Sequence, residues 1–276
     1  MRSTPLAVAL ACLACLAPPA QAESPPPPLP QAQNYELLEP NGLSLGVAVV
    51  ASRGILLGED RRTLVVPVLG YEGERVFLRG INGGVHLFKR DGLEFNLLVA
   101  ARLDGWDARD LDIARLAARG IDRTDLLDRD HSAEIGLGVA WKGSAGRVGL
   151  EARTDLGNAS GGHELELGYA FAVPAGKGLL APGVSLSYWS SKLSDYYYGT
   201  LPSEEAAGVP RYRPGDSLVP SVSVAYLRAL PGRWRVFGVF DYQWLPDGIV
   251  RSPLLEGKRG VPSLFVGVSR SFGAPR

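Results

Sequence analysis

The chain has 276 residues with 29 basic and 29 acidic side chains, 34 glycines, 21 prolines and two cysteines. The balanced charge offers no basic field to nucleic acid. Both cysteines, Cys12 and Cys15, lie within the first 22 residues. Once that segment is removed, disulfides, zinc–thiolate sites and cysteine nucleophiles are all excluded.

Residues 1–22 read as an export leader. Arg2 supplies the positive end, 6–17 the apolar run, and Ala20-Gln21-Ala22 a small-x-small cleavage site. The apolar run is too short to cross a bilayer as a helix. A lipoprotein leader competes because cysteines are present, yet the residue three before each is Ala9 or Cys12, where leucine is usual. Arg2 leaves with the leader, so 28 basic residues remain against 29 acidic ones. Residues 23–42 form a proline-rich spacer. Five of the six residues at 25–30 are proline, which favours an extended polyproline helix. The spacer is either a plain tether or a docking segment for a partner.

From residue 43 onward the dominant signal is alternation of period two. "AEIGLGVAW" sets Ile135, Leu137, Val139 and Trp141 against Glu134, Gly136, Gly138 and Ala140. "ELELGYAF" sets Leu165, Leu167, Tyr169 and Phe171 against Glu164, Glu166, Gly168 and Ala170. Such segments are half-buried strands. One face is aliphatic with aromatics near the ends; the other carries glycine, alanine, serine and full charges. A soluble sandwich would carry a Thr-, Lys- and Glu-rich outer face. A transmembrane barrel turns the apolar face to lipid and the small or polar face to the lumen, and this is the expected architecture.

Twelve antiparallel strands are predicted, at 43–51, 63–71, 74–81, 85–90, 93–104, 131–141, 147–154, 163–173, 179–190, 218–229, 234–244 and 261–272, with ten the nearest rival. Tight turns alternate with long connections at 52–62, 105–130, 155–162, 191–217 and 245–260, the pattern of short periplasmic turns and long outer loops. An even strand count puts both ends of the barrel in the periplasm. One position breaks the rule: Asn82-Gly83-Gly84 is short where a long loop is due.

The loop at 104–130 holds eight aspartates and five arginines. Arg109, Arg115, Arg119, Arg123 and Arg129 interleave with the acids, which argues against calcium. The expectation is a solvated, partly helical loop, with Leu111, Arg115 and Ala118 at helical spacing. "SGGH" at 160–163 puts Ser160 near His163, Asp155 and Asn158, the composition of a barrel hydrolase, although Gly161-Gly162 also reads as a turn. No cofactor is implied. The polar face of the strands carries Arg102, Glu134, Arg147, Glu151, Arg153, Glu164, Glu166, Arg235 and Asp241. Inward charges persist only when paired or wet, so they form either a salt-bridged plug or a water path.

"KLSDYYYGTLPSEEA" at 192–206 places Tyr196, Tyr197 and Tyr198 in a row. A strand would split them between two faces, and their helix propensity is low with Pro202 close behind. Tyr188 and Trp189 precede them as markers of the membrane–water boundary. The triplet is expected in that girdle and in a loop packed on the rim, with a binding surface as the alternative. The last strand ends in Phe272, like the closing aromatic strand of outer-membrane barrels, but Arg270 stands where an apolar residue is usual and residues 273–276 extend beyond it.

These segments carry a resemblance. Asp195, Tyr196, Tyr197, Tyr198 and Gly199, then Glu204, Glu205, Tyr212, Pro214 and Gly215, then Ser252 and Pro253 in "DGIVRSPLL", with a closing "GVSRSF", resemble the MipA/OmpV family of outer-membrane barrels. "LLDRDHSAEIGLG" at 126–138 is similar to the Asp-Arg segment of that family. The resemblance spans 43–272 and implies a non-catalytic barrel in the bacterial outer membrane, surrounded by its lipid. It further implies a scaffold joining a lytic transglycosylase (a murein hydrolase) to a penicillin-binding protein in cell-wall synthesis. Some members are porin-like channels or adhesins. An outer-membrane hydrolase is the remaining class.

Overall fold

The computed structural model describes residues 42–59 and 61–272. The expected leader, nearly all of the spacer and the extension at 273–276 lie outside the described residues.

The chain folds into one antiparallel sheet that closes on itself. Its strands are β1 (Gly42–Arg53), β2 (Arg61–Glu72), β3 (Val76–Arg79), β4 (Asn82–Arg90), β5 (Leu93–Arg102), β6 (Ser132–Gly143), β7 (Gly146–Asp155), β8 (His163–Ala170), β9 (Val173–Ala175), β10 (Gly178–Trp189), β11 (Ser217–Ala229), β12 (Trp234–Trp244) and β13 (Gly260–Phe272). β9 continues β8 beyond a break at Phe171-Ala172 and pairs with the start of β10. The two make one stave, so the barrel has twelve. Closure comes from β13 on β1, running from Leu43↔Phe272 to Ser52↔Ser263.

The alternation is realised with the apolar side outward. In β1, Leu43, Leu45, Val47 and Val49 are exposed while Ser44, Ala48, Val50 and Ser52 are buried. Leu137 is 57% exposed on β6, between inward glycines. A water-soluble sandwich would reverse this, and the outward aliphatic band is the surface a bilayer solvates. Arg270 points outward among the closing aromatics, with its guanidinium 5.9 Å from the Trp234 ring and 5.6 Å from that of Phe272. Such a side chain stacks its charge on rings at the boundary and needs no apolar substitute.

Tight turns gather at one end. Asp91 and Gly92, both at positive φ (53° and 81°), form the two-residue hairpin turn whose twist matches the strands. Long connections gather at the other end and are folded. They contain α1 (Ile113–Ala117), α2 (Ser191–Tyr198), α3 (Pro202–Ala207) and α4 (Asp247–Val250).

Several expectations are corrected here. The tyrosine triplet is helical, closing α2, with the Gly199 N–H donating to the Asp195 carbonyl at 2.9 Å. Weak propensity is overridden by packing: Leu193 with Tyr197 and Ser194 with Tyr198 are buried one turn apart. Successive helical residues turn by about 100°, so Tyr197 and Tyr198 share the buried side and Tyr196 sits at its margin. Neither they nor Trp189 belong to the lipid girdle. Trp189 points inward, 6% exposed, and stacks on Tyr198 with ring centroids 6.1 Å apart. The short connection falls at Gly80-Ile81, because Asn82, Gly83 and Gly84 already pair with β5. The loop at 104–130 is helical at α1 as expected, but its apolar residues are not solvated: Trp106, Leu111, Leu116, Ile121 and Leu126 are buried.

Candidate functional site: a capped lumen

At the loop end, side chains from the connections after β1, β5, β10 and β12 share one apolar core. Leu56 and Leu57, Trp106, Leu111 and Leu116, Tyr197 and Tyr198, and Ile249, Leu254 and Leu255 meet inward residues at the strand ends, Trp189, Val219 and Val261. Backbone bonds lock the loops together. Leu57 N–H donates to Leu254 O at 3.0 Å, Asp112 N–H to Leu57 O at 3.0 Å, and Glu256 N–H to Ile55 O at 2.8 Å. The indole N–H of Trp106 reaches Tyr197 O at 3.1 Å. The result is a cap on the barrel mouth, with a dry interior of its own.

The centre of the cap is an ion pair with no water-facing edge. Arg129 and Glu204 side chains are both fully buried. Arg129 donates from Nη1 to Glu204 Oε1 (2.8 Å) and from Nη2 to Oε2 (2.9 Å). Its remaining donors go to the carbonyls of Tyr196 (2.6 Å), Leu127 (2.6 Å) and Gly199 (3.2 Å). Glu204 also accepts from the N–H groups of Leu127 (2.9 Å) and Leu201 (2.7 Å). All five guanidinium donors are used, which is what lets a buried pair repay its desolvation. The ring of Trp106 lies 4.8 Å below the guanidinium. Burial raises the phenol pKa of Tyr197 and Tyr198 well above the usual tyrosine range, so both stay neutral, and Tyr197 OH donates to Asp130 O at 3.2 Å.

The family segment is placed around this pair. Asp195 Oδ1 accepts from the Gly215 N–H at 2.8 Å, and Gly215 adopts φ +74°, the left-handed region that favours glycine. At Gly199 a Cβ would lie 2.6 Å from Asp195 O and 2.9 Å from Tyr212 O, so no side chain fits. Glu205 pairs with Arg213 at 2.5 Å. Tyr212 OH donates to Gly248 O (2.6 Å), joining two loops close to Pro214. Ser252 is buried and accepts from the Leu254 N–H at 3.2 Å, while Pro253 O accepts from Arg119 at 2.8 Å.

Of the nine charges expected inward, six knit together below the cap. Arg102 contacts Glu134 (2.6 Å), Glu164 and, at the rim, Asp104 (2.7 Å). Arg153 reaches Glu166 (3.0 Å), Glu164 (3.3 Å) and Glu134 (3.7 Å), with Glu151 at 3.9 Å. Arg147, Arg235 and Asp241 stand elsewhere on the inner wall; Asp241 is hydrogen-bonded to Ser221. A second cluster near the turn end was not singled out in the sequence. Glu72 pairs with Lys89 (2.6 Å), His86 (3.0 Å) and Arg79 (3.1 Å), and His86 continues to Asn96 at 2.7 Å. Alternation could not have found it, because Glu72 and its three partners come from three strands and a register shift between His86 and Phe88 breaks the parity of β4 before Lys89. For Arg129 the only signal was its place in the 126–138 segment.

Ser160 and His163 serve a turn. Ser160 Oγ donates to Asp155 at 3.1 Å and accepts from the Gly162 N–H at 3.1 Å, while the His163 ring lies 6.2 Å from that of Tyr188.

Residues 45–272 match the model of the family described as MltA-interacting protein MipA. The chain is 25% identical over 250 residues to the MltA-interacting protein of Escherichia coli strain K12, covering 83% of this chain and 98% of that one. It is 26% identical over 213 residues to the outer membrane protein OmpV of Vibrio cholerae, covering 76% and 79%. Among solved structures, the NanC porin is similar at TM-score 0.42 and 10% identity, covering 84% of this chain and all of that one. An outer-membrane barrel closed by β13 on β1 and matched from 45 to 272 has one assignment: this chain belongs to the MipA family of outer-membrane proteins.

Proposed function

We propose that the protein is a non-catalytic envelope scaffold that holds a murein lytic transglycosylase at the periplasmic side of the outer membrane, with a penicillin-binding protein as second partner. The cap carries this reading. Four long loops are spent on a packed core with a buried ion pair, where a porin-like channel would leave its mouth open, and both arginines beneath are held by carboxylates. The name of the E. coli relative supports the hydrolase as a partner. The residues around Ser160 supply a turn and not an aligned nucleophile and base, which supports the absence of catalysis.

The periplasmic end consists of tight turns, and a specific stable interface usually buries roughly 800 Å² per partner. The proline-rich sequence at 25–30 would supply the missing area, since proline restricts the free chain and lowers the cost of ordering it on a partner. The rim at 142–146, 173–178 and 230–233 completes the contact. The test is capture of a purified membrane-bound lytic transglycosylase by the full-length protein in detergent. Deleting residues 25–30 should weaken capture, while serine at Tyr196, Tyr197 and Tyr198 should leave it intact if the barrel still inserts. Capture that survives the deletion and fails with the tyrosine variant contradicts the proposed side of contact; no capture by the intact protein contradicts the scaffold.

A further inference from the structure

The barrel wall is incomplete on one side. β2 pairs with β1 along its whole length, from Arg53↔Arg61 to Gly42↔Glu72. Its other edge pairs with β3 only at Gly70, Tyr71 and Glu72. The β3–β4 hairpin turns back at Gly80-Ile81, where the Gly80 N–H donates to Leu69 O at 2.8 Å. Beyond that turn no strand among the described residues lies against β2 on this side, over about 26 Å of strand. Pro67 lies opposite Val47, at the middle of β1, so the gap runs from mid-membrane to the loop end.

The sequence of the edge fits an opening. Leu69 turns its carbonyl to the hairpin, and strand alternation turns the backbone of Pro67, Val65 and Thr63 the same way. Pro67 has no N–H to leave unpaired there, as in natural edge strands. Val65 is 64% exposed and Ile81, at the turn itself, 40%. Irregular backbone at membrane depth is tolerated where it lines a cavity, and a cavity of about 180 Å³ lies behind this gap. Its lining runs from Val66, Val68, Gly80 and Ile81 at the gap to Leu103 and Asp104 above.

The cavity has two chemistries. Val66, Val68 and Leu227 pack against an inward apolar cluster that includes Phe237 and Phe265. The opposite wall presents Arg102, Glu134, Arg153 and Glu164. Around those two arginines stand five carboxylates, Asp104, Glu134, Glu151, Glu164 and Glu166. Glu134 Oε1 is held by Arg102 at 2.6 Å, while its Oε2 is buried with no hydrogen bond and stands 3.7 Å from Arg153. At this wall the surplus is anionic; the other two arginines of the lining, Arg79 paired with Glu72 and Arg235 near the start of β12, lie towards the turn end.

We propose that the cavity is a binding site for a lipophilic amine, reached sideways from the outer leaflet between the free edge of β2 and the Gly80-Ile81 turn. The apolar body lies along Val66, Val68 and Phe265, and the ammonium meets Glu134 and its neighbours. Pairing a buried carboxylate with a cation, and burying hydrocarbon in an apolar pocket, both favour such a ligand. The site does not depend on the scaffold role.

The test uses the full-length barrel in lipid nanodiscs, with dansylcadaverine as the amine probe and dansyl-6-aminohexanoic acid as its anionic counterpart. Saturable, blue-shifted fluorescence above that of empty nanodiscs is expected for the amine. The acid should bind about tenfold more weakly, the loss of one ion pair. Val68→Trp should abolish binding by filling the apolar side. A bulky maleimide on Pro67→Cys should slow uptake severalfold, while the same adduct on Val47→Cys, at the same height on a strand paired on both edges, should not. No saturable binding, or equal binding of amine and acid, overturns the site; equal uptake by both adducts overturns the lateral route. Should Val68→Trp fail to insert, the amine–acid and adduct comparisons decide.

Discussion

Arg129 and Glu204 show what a single residue pair does in this fold. Each is wholly buried and each is held by hydrogen bonds to the other and to the backbone of two loops. Breaking such a pair strands a charge in a dry core and costs about 3–5 kcal/mol. Glu204→Gln should therefore loosen the cap, seen as faster amide exchange and proteolysis across 103–131 and 190–216, while the barrel keeps its heat-sensitive gel mobility. Replacing both partners with methionine should recover most of the loss, because no charge is then left unpaired. His131 gives the cap a pH dependence. Its Nδ1 accepts the Gly105 N–H at 3.1 Å, and burial holds its pKa below the ordinary 6.5. The folded cap thus keeps the ring neutral where the unfolded loop would protonate it. Its contribution is complete above pH 6.5 and is lost as pH falls from there towards the lower folded value. Exchange protection near Gly105 and Trp106 should fall between neutral pH and pH 5 and stay level in His131→Gln.

At the scale of elements, α2 is the piece whose removal should be most visible. It covers the mouth with Leu193, Tyr197 and Tyr198 against Trp189. Replacing 192–214 with a short glycine–serine linker should leave a barrel that inserts but now conducts. The strands themselves were legible in the sequence, because lipid on one face and lumen on the other impose a strict period of two on every stave. The cap was not. Three consecutive tyrosines have poor helix propensity, and only the core formed with Trp106, Leu116 and Ile249 makes a helix their best arrangement. Arg129 was hidden for the same reason: in a run of alternating aspartates and arginines, nothing local separates the one buried guanidinium from the solvated ones. The short hairpin was legible as a break in loop lengths, displaced by two residues from its true turn at Gly80-Ile81. The inward charges were legible as a set, but which of them pair depends on register and reach across β5 to β8.

The whole molecule is a barrel turned inside out relative to a soluble sheet, and its stability in lipid follows from that. Leu137 stands near the middle of β6, opposite Leu97 and Ala152 on its two neighbours, with its side chain outward. Arginine there should cost about 2–4 kcal/mol, as expected for a cation at the midplane. Arginine at Trp141, near the turn end, should cost less. Equilibrium unfolding in urea from lipid vesicles measures both. The barrel mouth is covered by a folded cap over arginines held by carboxylates, and a molecule built so is not an open pore. Planar-bilayer recording tests it directly. Wild-type protein should give no stable conductance, and the variant lacking 192–214 should open steps in the same membrane. Stable, stepwise, ion-selective conductance from the wild-type protein would contradict the account.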